Sequence, residues 1–146
     1  MYPAGHLWHY AVIFRLHQYL IPNEITWLVL NGIFHSICLV ITSLICYKYF
    51  KKDNLKAQMI CFILMSNQNL FYLVMECYND NLVQFYILAS ILSMMNNRPK
   101  LACFMAATGW SIKANALLFM PCLLGWIQYK YGILTLLASI IILAGY

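Results

Sequence analysis

Charge is scarce in this sequence. Charged residues make up 9% of it, where a water-soluble domain carries about 25%. So few charges cannot cover a surface facing water. Hydrophobic residues account for 64%, and the mean hydropathy is +0.73. The solvent for most of the length is therefore a lipid bilayer. Acids are the scarcest charges, four against nine Lys and Arg, which leaves a net charge of +5. That balance does not indicate a nucleic-acid partner, because the cations are not interleaved with aromatics on a polar surface. They sit in short gaps between apolar runs. The six cysteines, Cys38, Cys46, Cys61, Cys77, Cys103 and Cys122, contain no C-x-x-C pair. Most lie in apolar runs, where Cys acts as a small hydrophobe, and only Cys77 borders a polar turn. There is no N-x-[ST] sequon, no repeat and no soluble domain. The start, Met1 to His6, lacks the basic region, apolar core and cleavage site of a signal peptide.

What is present is a series of apolar runs, and they predict an all-α integral membrane protein, a multi-pass helical bundle. Trp27 to Tyr47 carries no formal charge and as a helix reaches about 32 Å, enough to cross a hydrocarbon core. Met59 to Met75 is a second candidate span, marked by a polar patch at Ser66, Asn67, Gln68 and Asn69. Leu82 to Met95 is apolar but short, and Arg98-Pro99-Lys100 ends it. Residues 101–128 are interrupted by Gly109, Lys113, Asn115 and Pro121, so they form either one kinked span or two short ones meeting near Lys113. Ile133 to Tyr146 is still apolar where the sequence stops, as if a membrane helix were cut off. The expected organisation is one partial membrane domain. Residues 1–24 form a luminal loop and interfacial segment, and residues 25–146 hold about five to six membrane helices.

The cations orient these helices. Seven of the nine Lys and Arg lie in three gaps, at 48–56, 98–100 and 130, and such gaps face the cytoplasm. Glu76 to Asn81 then faces the lumen. Keeping Lys130 cytoplasmic requires two short spans over 101–129, with Lys113 near a luminal turn, so Asp80 and Lys113 share the luminal side. Leu7 to Leu20, with His9, Arg15 and His17, is too short to span and reads as an amphipathic segment on the luminal face.

Three polar features stand against the apolar background. Tyr2-Pro3-Ala4-Gly5-His6 combines Pro and Gly as a tight turn does, and His6 can hydrogen-bond or move a proton; by residue types alone, an ordinary loop before an interfacial helix is the simpler reading. Asn79 and Asp80 lie between two spans. Asp80 either caps the following helix or faces a luminal cavity with Asn79, binding sugar hydroxyls or helping to place a phosphate-bound metal. Lys113, with Asn115 two residues on, costs about 2.5–3.5 kcal/mol at a bilayer centre. It either snorkels to the interface or meets a lipid phosphate. Lys113 and Asn115 do not share a helical face and act together only if the helix breaks there.

Three motifs in this order resemble the dolichyl-phosphate-mannose-dependent α-1,3-mannosyltransferase family of asparagine-linked glycan assembly. They are Tyr2-Pro3-Ala4-Gly5, Tyr78-Asn79-Asp80 and the long run Ser111-Ile112-Lys113-Ala114-Asn115-Ala116-Leu117-Leu118-Phe119-Met120-Pro121. The resemblance implies part of the GT-C membrane glycosyltransferase fold and a place in the endoplasmic-reticulum membrane. It implies transfer of mannose from a dolichyl-phosphate mannose donor to the dolichol-linked oligosaccharide acceptor Man5GlcNAc2, in α-1,3 linkage on the luminal side. Tyr2, Pro3, Gly5, His6, Asn79, Asp80, Lys113 and Asn115 are then the expected substrate-binding residues. No metal ligand or cofactor is assigned, and no catalytic base either. The base is expected in a luminal loop before Tyr2, so these residues alone are not expected to turn over substrate. The sequence departs from the family pattern at Gln68, Leu70, Glu76 and Cys122. Three other readings stay open: a sister dolichyl-phosphate-sugar transferase of another linkage, a transporter-like protein with Lys113 and residues 66–69 on its path, and a non-catalytic membrane fragment.

Overall fold

The computed structural model describes residues 4–20, 24–50, 53–65 and 80–145. Among them the chain is helical throughout, with no strand. Its helices are α1 (Ala4–Leu20), α2 (Glu24–Tyr49), α3 (Asn54–Met65), α4 (Asp80–Met95), α5 (Pro99–Ile112), α6 (Met120–Tyr131) and α7 (Ile133–Ala144). A 3-10 turn, Ala114–Phe119, joins α5 to α6. The patch at 66–69, the departures at 68, 70 and 76, and the residues Tyr2, Pro3 and Asn79 lie outside the described residues.

The helix α2 covers the expected span and extends it at both ends. It alone among the described residues is long and apolar enough to cross a bilayer, with a mean hydropathy of 1.4 over Gly32–Tyr49. α4 and α7 are apolar but shorter. α3 opens behind Asp53, whose carboxylate accepts from the Lys56 N–H at 3.3 Å and pairs with the Lys56 ammonium at 3.2 Å. Those bonds hold the Asp53 carboxyl below the usual carboxylate range, the Lys56 N–H contributing most.

One expectation is corrected at the N-terminus. The tight turn foreseen from Tyr2 to His6 is not a turn in its second half, because Ala4, Gly5 and His6 form the first turn of α1. A proline just before a helix has its φ already near the helical value and gives up no helical hydrogen bond there. Pro3 therefore favours a helix start, and Gly5 is tolerated in a first turn.

A turn between α4 and α5 organises one end of the bundle. Asn97 adopts a left-handed φ of 59°. Its N–H donates to the Met94 carbonyl at 3.0 Å, and the Arg98 N–H donates to Ser93 at 2.9 Å. This is a Schellman end, which requires a left-handed residue that Asn tolerates better than most. Pro99 then starts α5. The side chains of the same turn bind two other helices. Asn96 accepts a hydrogen bond from the Lys48 ammonium at the end of α2. Asn97 Oδ1 accepts from Lys130 Nζ at 2.7 Å and from the Tyr131 hydroxyl at 3.0 Å, at the end of α6. Lys48, Arg98, Lys100 and Lys130 thus meet at one end.

These contacts fix helix directions. Phe34 packs edge-on against Phe85 at 6.2 Å, and Lys48 reaches Asn96, so α2 and α4 run parallel. α5 returns antiparallel to α4. Close approach along this hairpin depends on small residues: Ala102, Cys103, Ala106, Ala107 and Gly109 are all buried. Met94, Leu123, Ile127 and Leu143 complete the main core. Replacing Asn97 by Val should destabilise the fold by about 1–2 kcal/mol from the left-handed backbone alone. Asn97→Gly should keep the backbone and lose only the links to Lys130 and Tyr131. Thermal unfolding in detergent, read by circular dichroism, checks that order.

Candidate functional site

The chain leaves helical geometry at Lys113. The last turn of α5 spends its hydroxyls on its own carbonyls: Thr108 Oγ1 donates to Phe104 at 2.9 Å and Ser111 Oγ donates to Thr108 at 2.7 Å. Such back-bonding competes with regular helix. The Lys113 N–H still donates to Gly109 at 3.2 Å, but its backbone is extended, with φ −148° and ψ 128°. Its carbonyl then accepts from Ala116 N–H at 3.1 Å, which opens the 3-10 turn. Pro121, which has no N–H, sits in the first turn of α6. Of the two arrangements open for residues 101–128, the backbone takes the broken one.

Packing places this break beside the start of α4. Ile112 and Ala116, on either side of Lys113, are buried against Leu82 and Val83, with Phe34, Tyr86 and Trp110 around them. Gly109 lies close enough to α4 that a Cβ built on it would stand 3.2 Å from the Tyr86 Cβ. The backbones of Asp80 and Lys113 are therefore at the same end of the α4–α5 hairpin, opposite the end that gathers Lys48, Arg98, Lys100 and Lys130. The side chain of Lys113 is half-buried and that of Asn115 is exposed. Because the helix breaks between them and α5, the helical spacing that separates 113 from 115 no longer applies.

An apolar cavity of about 330 Å³ adjoins this end. Trp8, Val12 and Leu16 of α1 line it with Leu30 and Phe34 of α2 and Leu82 and Tyr86 of α4. Three of those side chains, Phe34, Leu82 and Tyr86, also pack in the cluster that holds Ile112 and Ala116. Lys113 is thus one residue from the packing that forms the cavity wall. Gly5 and His6 belong to the first turn of the same α1. The sequence reading missed the cavity residues, since a Trp or Phe in so apolar a chain carries no signal of its own. The available clue was α1, an apolar segment too short to span that had to pack sideways on something. Among the described residues, His35 Nδ1 and Ser90 Oγ are buried polar atoms without a hydrogen-bond partner, and nothing in the sequence marks either.

The site thus combines a half-buried ammonium at a helix break with an apolar cavity and the N-terminal end of α4. An ammonium in that setting can neutralise an anion held at the edge of an apolar space. Neither a curated protein nor a solved structure matches the chain. A family model, described as ALG3 protein, matches residues 1–146. The match covers the broken helix around Lys113 and every other element described above, and the chain belongs to this ALG3 protein family, the α-1,3-mannosyltransferase family of dolichol-linked N-glycan assembly in the endoplasmic-reticulum membrane.

Proposed function

We propose that this chain acts in the transfer of mannose from dolichyl-phosphate mannose to lipid-linked Man5GlcNAc2, in α-1,3 linkage, on the luminal side of the membrane. The observation that carries the reading is the half-buried Lys113 at a break in the family's long motif, beside an apolar cavity. A donor made of a phosphate joined to a polyisoprenyl chain asks for that pair of features. The cavity suits a length of the chain, and the ammonium suits the phosphate.

The chemistry is a displacement at the anomeric carbon. The acceptor hydroxyl forms the new C–O bond as the bond from that carbon to the phosphate oxygen breaks. The proton of the hydroxyl passes to a base, and dolichyl phosphate departs as an anion. Negative charge grows on the leaving oxygen in the transition state, where a fixed cation has most effect. Lys113 is the group for that task. Asp80 at the start of α4 and its sequence neighbour Asn79 bind sugar hydroxyls, Asn115 adds a donor or acceptor from the 3-10 turn, and Gly5 and His6 in the first turn of α1, with Tyr2 and Pro3 before them in the sequence, complete the substrate contacts. In the bilayer, the end holding Lys48, Arg98, Lys100 and Lys130 faces the cytoplasm and the Lys113 end faces the lumen.

Lipid-linked oligosaccharide profiling tests the assignment. Cells without this gene should accumulate the Man5GlcNAc2 species, and returning the gene should restore extension. Accumulation of a later intermediate would instead favour a sister transferase of another linkage.

A further inference from the structure

We propose that the basic end of the bundle holds an anionic glycerophospholipid headgroup, in a groove between the starts of α5 and α7. The groove has a volume of about 420 Å³ and is lined by Arg98, Pro99, Lys100, Leu101 and Thr135. It goes beyond mannosyl transfer, because it lies at the opposite end from Lys113. It rests on the membrane reading alone.

Charge complementarity identifies the occupant. Arg98 and Lys100 are both exposed, and neither has an acidic partner among the described residues. The nearest other cations are engaged: Lys130 donates to Asn97 and Lys48 to Asn96. Asp53, the one acid near this end among the described residues, is bound to Lys56. Two cations two residues apart on one rim therefore face a site with no built-in counter-charge among the described residues. The backbone adds to it. Pro99 supplies no N–H, and the Lys100 and Leu101 N–H groups precede the first helical bond of α5, from Ala102 N–H to Arg98 at 3.0 Å. The Thr135 hydroxyl donates to Tyr131 at 3.3 Å and presents its oxygen only as an acceptor, so binding falls to the cations.

The apolar surface beyond the groove separates a lipid from a free anion. α5 and α7 run parallel away from it, since Thr135 sits with residues 98–101 and Leu143, two turns further on, is buried in the same core cluster as Ala106 and Ala107 of α5. Leu101 and Phe104 on α5, with Leu134, Leu137 and Ile141 on α7, are exposed along that course. A phosphate seated between Arg98 and Lys100 would have its acyl chains laid on these side chains. Basic pockets between membrane helices on the cytoplasmic side recognise anionic lipids in this way.

Native mass spectrometry of the full chain, from detergent micelles doped with equal phosphatidylinositol and phosphatidylcholine of matched acyl chains, tests this. Retention of phosphatidylinositol should exceed that of phosphatidylcholine about tenfold. The preference should fall to near parity in R98Q/K100Q, and also in the single charge reversal Lys100→Glu, while Lys56→Gln keeps it. Helicity by circular dichroism confirms that each variant is folded. Equal retention of the two lipids, or a preference unchanged in folded Lys100→Glu, overturns the proposal. Displacement of the bound lipid by millimolar inorganic phosphate also overturns it, because the site would then recognise phosphate rather than lipid. Carbonate extraction of membranes reports insertion separately, so a failure of the membrane reading is seen on its own.

Discussion

Lys113→Met is expected to lower mannosyl transfer by about 10²–10³-fold, the loss that follows removal of one donor to a developing oxyanion. Met keeps the length and apolar stem of Lys and removes only the ammonium, so insertion and expression should not change. The fall should appear in kcat, since charge on the departing phosphate grows in the transition state. Lys113→Arg should recover part of the activity, because the charge stays while the compact ammonium becomes a planar fork. A microsomal assay with dolichyl-phosphate mannose and the Man5GlcNAc2 acceptor reads both. If Lys113 only snorkels to the interface, Lys113→Met will transfer mannose at the normal rate. That result would remove the residue from the site.

Gly109→Leu should produce the largest loss of stability. The Tyr86 Cβ that a Cβ at 109 would meet at 3.2 Å is bonded directly to the α4 backbone and cannot swing aside. Val83 O and the Ala116 Cβ lie at 3.8 and 3.9 Å, so a longer side chain finds backbone, turn and tyrosine on three sides. Separating α4 from α5 to make room would cost about 1–3 kcal/mol, as overpacking of tight cores does. It would also shift the start of α4 relative to Lys113, so activity should fall with stability. Gly109→Ala should be close to neutral, because the helical gain over Gly of about 0.5–1 kcal/mol offsets a displacement of a few tenths of an ångström. Gly125 is the control: a Cβ there meets nothing within 4 Å, so Gly125→Ala should stabilise. Thermal unfolding of the three variants in one detergent ranks them. If Gly109→Leu unfolds at the normal temperature, the α4–α5 packing is looser than described.

The legible parts of the molecule are those written in consecutive residues. The run from Trp27 to Tyr47 has no charge to interrupt it, and α2 forms there. The gap at Arg98-Pro99-Lys100 breaks a helix because proline cannot continue one, and the α4–α5 turn is where it falls. Gly109, Lys113, Asn115 and Pro121 weaken residues 101–128 as a single helix, and the chain departs from helix at Lys113. The N-terminal motif was less legible. Pro and Gly together suit a turn, but a Pro just before a helix suits its start equally well, and only packing of α1 against the bundle chose between them. The cavity beside Lys113 was not legible, since its seven lining side chains come from three helices and are all apolar.

Composition and charge order by themselves determined that the chain is helical and suited to a bilayer, where α2 forms, that a break falls at Arg98-Pro99-Lys100, and that seven of its nine cations fall into three gaps. Those are properties of short segments, because hydropathy and helix breaking act over one or two turns. Only the tertiary structure decided which helices lie side by side, α2 with α4 and α5 with α7, and that two asparagines of one turn gather Lys48 and Lys130. Neighbours of that kind depend on which surfaces interlock. The interlocking here rests on small side chains such as Ala106 and Gly109, whose effect is to let another backbone come close.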